Sequence, residues 1–124
     1  MAARHYQELI VWQKAMDLVV FIYQTTGCFP REEQFGLTIQ LRKVAISIPS
    51  NIAEGQGRNT AGDFLHFLAV ARGSLQELET QIILAERLHY ITKDKRNEFF
   101  VLLSEVGRLI NGLSNSITPK PTNN

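Results

Sequence analysis

The chain has 124 residues and is 44% apolar, which suits one core of ordinary size and starves a second. Thirteen Lys and Arg against twelve Asp and Glu leave a net charge of +1, which excludes the strong basic excess of a dedicated nucleic-acid binder, so any basic footprint must be local or made by assembly. Its one cysteine, Cys28, excludes an intramolecular disulfide, a cysteine-based zinc site and a CxxC redox pair, and fits a reducing cytoplasm. The opening Met1-Ala-Ala-Arg-His-Tyr lacks the basic-then-apolar order of a secretory signal. No apolar run approaches the roughly 18 residues that span a bilayer, so a cytoplasmic protein with no membrane contact is expected.

Leu9, Trp12, Met16, Val19, Val20 and Tyr23 recur at the spacing of a helix with one buried stripe. Thr25-Thr26-Gly27 is expected to end this helix, with Gly27 in the left-handed conformation of a C-cap. Pro30 then opens a new segment, with Glu32 and Glu33 near its positive end. In the second helix Leu37, Leu41, Val44, Ala45, Ile48 and Ile52 keep one phase straight through Pro49. This predicts a kink at Pro49 rather than a break, although proline removes a donor and clashes with the carbonyl of Ala45. Gly55-Gln-Gly57-Arg58-Asn59 reads as a loop. Thr60 and Asp63 resemble a capping box in which Asp replaces the usual Glu. Phe64, Leu68, Ala71, Leu75, Leu78, Ile82, Ala85 and Leu88 predict a third helix of roughly 27 residues and about 40 Å. Thr92 caps a fourth, with its stripe at Phe99, Leu102, Leu103, Val106, Leu109, Ile110 and Leu113.

No segment alternates with period two, and the connections are short, so neighbouring helices should pack antiparallel. The expected fold is all-α: an antiparallel up-down-up-down four-helix bundle over residues 1–117, followed by a proline-broken disordered tail over 118–124. Trp12, Val44, Ile48, Leu68, Leu75, Leu78, Leu103 and Leu109 are the expected core. Leu18–Tyr23 and Phe64–Ala71 are apolar on more than one side of their helices. A lone bundle buries one stripe per helix, so this excess predicts a second copy covering it.

Leu9-Ile-Val-Trp-Gln-Lys-Ala15, Phe29-Pro30, Phe35-Gly-Leu37, Ser47-Ile-Pro-Ser-Asn-Ile-Ala-Glu-Gly55 and Gly73-Ser-Leu-Gln-Glu-Leu-Glu79, taken together and in order, resemble the four-helix bundle family of 23S rRNA intervening-sequence proteins. The resemblance covers roughly residues 6 to 113. It implies a left-handed antiparallel bundle assembling as a homopentamer, a bacterial origin and an activity undefined for the family. Some members are encoded inside insertions in large-subunit ribosomal RNA genes. A relative accompanies the reverse transcriptase of diversity-generating retroelements as a basic pentameric barrel, so RNA, DNA or an RNA-handling protein is the implied neighbourhood.

Ser47, Asn51 and Glu54 share one face of the second helix. They form either a site or a polar network, with Glu77, that ties this helix to the third and satisfies groups freed by Pro49. An antiparallel turn near residue 59 would set Arg42 level with Glu77 and Ser47 level with Arg72. On the functional reading Arg42, Lys43, Arg58 and Arg72 form an anion-binding surface repeated around a ring, with Arg58 the least tied to the fold. The plainer reading makes these side chains helix bridges.

Glu86-Arg-Leu-His89 has the Glu-x-x-His spacing of di-iron bundles, but no second pair accompanies it, so no metal is expected. Gly55-x-Gly57 follows a helix rather than a strand and is no dinucleotide fingerprint. Cys28 beside Phe29 reads as a small buried side chain, not a nucleophile. No catalytic residue and no cofactor is expected. The sequence thus predicts a non-catalytic homo-oligomeric interaction module, with RNA or an RNA-handling protein as partner, or a purely protein-binding scaffold without nucleic-acid affinity.

Overall fold

The structure, a computed structural model, describes residues 5–118. Of the tail expected over 118–124, all but Thr118 lies outside the described residues. The elements in order are a short 3-10 turn at Tyr6–Glu8, α1 over Ile10–Thr26, a second 3-10 turn at Arg31–Glu33, α2 over Leu37–Gln56, α3 over Ala61–Arg87 and α4 over Lys93–Ile117.

α1 and α3 each pack against both α2 and α4. Contacts across three of these four pairs step in opposite chain directions, which fixes the fourth as well. Between α1 and α4, Lys14 meets Glu105 at 3.8 Å while Phe21 meets Phe99. Between α3 and α4, Arg72 meets Asn111 while Glu86 meets Arg96. Between α2 and α3, Ser47 meets Ser74 while Gly55 lies against Phe67. Adjacent helices therefore run antiparallel, as the short connections require.

The core is formed by Leu37, Leu41, Ala45, Ile48 and Ile52 of α2, Leu68, Ala71, Leu75, Leu78, Ile82 and Ala85 of α3, and Phe99, Leu103, Val106 and Ile110 of α4. α1 corrects the expected stripe. Its buried face is Val11, Ala15, Leu18, Ile22 and Thr26, whereas Met16, Val20 and Tyr23 are exposed. Trp12, Val44 and Leu109 pack only part-buried at the margin of the core. α1 is apolar around most of its circumference, so two stripes satisfy the helical period equally. The stripe carrying Ala15, Leu18 and Ile22 is the one that faces inward.

α2 is continuous through Pro49, which is buried. The neighbouring carbonyls are engaged by side chains: Ser47 Oγ donates to Val44 O at 2.6 Å, and Asn51 Nδ2 to Ser47 O at 2.7 Å. Thr60 and Thr92 cap α3 and α4 as expected, accepting from Asp63 N–H and Lys95 N–H, each at 3.1 Å.

Gly27 is right-handed, with φ −60°, because α1 closes through bonds from Cys28 N to Thr25 O and from Phe29 N to Thr26 O that tighten its last turn. The left-handed residue is His89, with φ 64°. Tyr90 N donates to Ala85 O and His89 N to Glu86 O, both at 2.9 Å, which is the Schellman pattern that normally carries glycine. His89→Gly is expected to stabilise the fold by about 0.5–1 kcal/mol, the left-handed penalty less the added freedom of the unfolded chain. An unchanged or lower urea midpoint would contradict this.

Glu33 joins two connections at one end of the bundle, the α1–α2 turn and the α3–α4 turn. Its Oε1 accepts from Leu37 N–H at 2.8 Å and caps α2, and its Oε2 accepts from Tyr90 O–H at 2.7 Å. A Cβ on Gly36 would stand 2.6 Å from Glu33 Oε1, so glycine there leaves the carboxylate room to reach the helix. The Leu37 N–H and then the Tyr90 hydroxyl hold the Glu33 carboxyl below its ordinary pKa, and the same bond raises that of Tyr90. Stability from Glu33 is therefore present above the ordinary carboxylate range and lost as pH falls through its lowered pKa. That from Tyr90 is present below the ordinary phenol range and lost as pH rises through its raised pKa. Urea midpoints measured across pH should show a shallower acid limb for Glu33→Gln and a shallower alkaline limb for Tyr90→Phe.

Candidate interaction surface

The four basic residues expected to form one anion surface are not gathered in the monomer. Arg42 turns to α1: its Nε donates to Thr26 Oγ1 at 2.9 Å and its guanidinium lies 4.4 Å from the Tyr23 ring centroid. A guanidinium beside the last carbonyls of α1 is favoured by the helix dipole. Among the described residues no ion pair joins Arg42 to Glu77. Lys43, the next residue, is exposed.

Arg58, expected to be the freest of the four, is bound twice. It pairs with Glu54 at 2.9 Å and stacks over Phe67 of α3 at 4.9 Å. It lies in the turn beyond Gln56, the last residue of α2, and the helix alone carries the chain about 21 Å from Arg42 to that end. Arg72 donates to Asn111 Oδ1 at 2.7 Å and so ties α3 to α4.

The polar group on α2 divides in the same way. Ser47 Oγ reaches Ser74 Oγ of α3 at 2.7 Å, not Arg72, and Asn51 stays on its own helix. Glu54 partners Arg58 and Glu77 is exposed. Among the described residues, only Ser47 of these four side chains bonds to another helix, and the four do not converge on one point. Glu86 is bound to Arg96 Nε at 2.6 Å. Among the described residues no group of three or more His, Cys, Asp or Glu side chains is placed to hold a metal ion. Cys28 is exposed, correcting the expectation of burial, because the 3-10 turn after α1 directs it outward.

The apolar surplus lies on the outside. Met16, Val20 and Tyr23 follow one another along α1 at helical spacing and are 38%, 52% and 41% exposed, and Ile39 and Ile46 of α2 are 46% and 42% exposed. Met16 and Ile46 line one shallow concavity of about 310 Å³ with Trp12, Val19 and Pro49, so the two helices share this face. Lys43 sits between Ile39 and Ile46 on α2. Val70 and Leu84 of α3, Leu88 at its C-cap and Val101 of α4 are further exposed apolar side chains.

The family model of the 23S rRNA-intervening sequence protein matches residues 7–112, which takes in α1, α2 and α3 and all but the last five residues of α4. The chain belongs to that family. Its fold is similar to a crystal structure of a protein of unknown function from the S23 ribosomal protein family of Bacteroides thetaiotaomicron. The two share 23% identity, the match covers 86% of this chain and 96% of the other, and the TM-score is 0.79. No curated protein matches significantly.

Within this 23S rRNA-intervening sequence protein fold, the partners missed from sequence are small polar side chains and carbonyls: Thr26, Ser74, Asn111 and the Tyr23 carbonyl. Thr26 carried a usable signal, since it lies seven and four residues beyond Val19 and Ile22 on a mostly apolar helix. Asn111 carried none. Among the described residues no helix is long and apolar enough to cross a membrane.

Proposed function

We propose that this chain is a non-catalytic helical-bundle interaction module that assembles with copies of itself through the outer face of α1 and α2, in a reducing cytoplasm. The observation that carries this reading is the row Met16, Val20 and Tyr23 beside Ile39 and Ile46, all more than a third exposed. Large apolar side chains gathered on one face mark a surface that a partner covers. A self-complementary or ring-forming contact between identical chains is the simplest such partner. Five copies is the number implied by the family resemblance.

For the ligand of the assembly, the intrachain engagement of Arg42, Arg58 and Arg72 favours a protein-binding scaffold. The rival, contact with RNA or an RNA-handling protein, is supported by the family's name and by exposed Lys43, five copies of which would lie on one ring. Light scattering at micromolar concentration is expected to give a multimer for the native chain and a folded, smaller species for Val20→Glu, since a charge in a closed apolar contact is strongly unfavourable. A native monomer would sink the assembly. On the scaffold reading RNA binding at low salt is weak, and neither Lys43→Glu nor Arg58→Glu moves it. A steep, salt-dependent binding curve lost in both variants would decide for nucleic acid.

A further inference from the structure

A second concavity, of about 610 Å³, lies at the end of the bundle where the C-terminus of α1 meets the turn between α3 and α4. It shares no lining residue with the concavity that holds Met16 and Ile46. Its volume is in the range of small-molecule sites, roughly 300–1,000 Å³. Phe21, Tyr90 and Ile91 supply apolar wall, while Gln24, His89, Thr92, Lys93 and Lys95 supply polar groups.

The charge balance of this lining is cationic. Glu86, its carboxylate, is neutralised by Arg96 at 2.6 Å. Lys95 is shared between Glu98 at 3.5 Å and the face of Phe21 at 4.9 Å. Lys93 has no ion pair among the described residues. His89, held left-handed by the Schellman motif that ends α3, stands in the lining beside them.

We propose that this cleft binds a small amphipathic anion: a flat or branched apolar body against Phe21, Tyr90 and Ile91, ending in a carboxylate or phosphate held by Lys93 and Lys95. Cys28 also lines the cleft and is the chain's only cysteine. Its alkylation therefore reports occupancy in the native protein. The probes are benzoate and phenyl phosphate, with benzyl alcohol and inorganic phosphate as controls lacking one half of the chemistry. Fragments of this size bind in about the millimolar range.

Either benzoate or phenyl phosphate, at about twice its own Kd, is expected to slow alkylation of Cys28 by iodoacetamide about threefold, the factor 1 + [L]/Kd expected from simple occupancy. Which of them has the lower Kd identifies the anionic group. Benzyl alcohol and inorganic phosphate should protect far less, and the exposed-site variant Lys93→Ala should lose the protection by the anions. Unchanged alkylation with both anionic probes overturns the proposal. So does equal protection by either control, or full protection retained in Lys93→Ala.

Discussion

Phe99→Ala is expected to destabilise the fold by about 3–5 kcal/mol, the range for removing a buried aromatic side chain and leaving part of its volume empty. Phe99 is 1% exposed, and its ring lies 4.3 Å from that of Phe21 between centroids, tilted by 34°. It therefore joins α4 to α1 at the end of the bundle where the turns meet. The control is Phe35→Ala. Phe35 is 83% exposed, and its loss should change stability by no more than about 0.5 kcal/mol. Urea unfolding at one fixed protein concentration compares the two, because assembly makes apparent stability concentration-dependent. Similar midpoints for both variants would refute the placement of the core.

Gly55→Ala should also destabilise, by about 1–3 kcal/mol, although alanine is the better helix former. A Cβ on Gly55 would lie 2.8 Å from Phe67 Cβ and 3.3 Å from the carbonyl oxygen of Phe64. Both are close to the α3 backbone and cannot swing aside, so α2 and α3 would have to separate near their turn. Gly112 is the matched control, since a Cβ there meets nothing within 4 Å. Gly112→Ala is expected to stabilise by about 0.5–1 kcal/mol through helix propensity alone. A gain in both variants would show that the helices are not pinched together at Gly55.

Local chemistry was legible from the chain. The Thr60 and Thr92 caps, the length of α3 and the passage of α2 through Pro49 follow from side-chain bonds and periodicities that act within a few residues. The four-helix class followed too, because four apolar stripes joined by short turns have few other ways to be buried. The candidate site was legible only as a set of residue types. Arg42, Arg58 and Arg72 are present in sequence whether they bind a ligand or another helix, and spacing does not distinguish the two.

Tertiary structure decided the rest. Which of two apolar stripes on α1 faces inward is a question of phase, set by how closely Ala15 and Leu18 let neighbouring helices approach. Arg42 found Thr26 and the last carbonyls of α1 instead of Glu77 because those groups lie where the second helix crosses the first. The left-handed turn fell on His89 rather than Gly27 because α1 tightens into a 3-10 turn while α3 ends in a Schellman motif. Sequence by itself determined the four helices, the Thr60 and Thr92 caps and the excess of apolar surface. Only packing determined which face carries that excess and which charges remain free, since both depend on contacts between residues far apart in the chain.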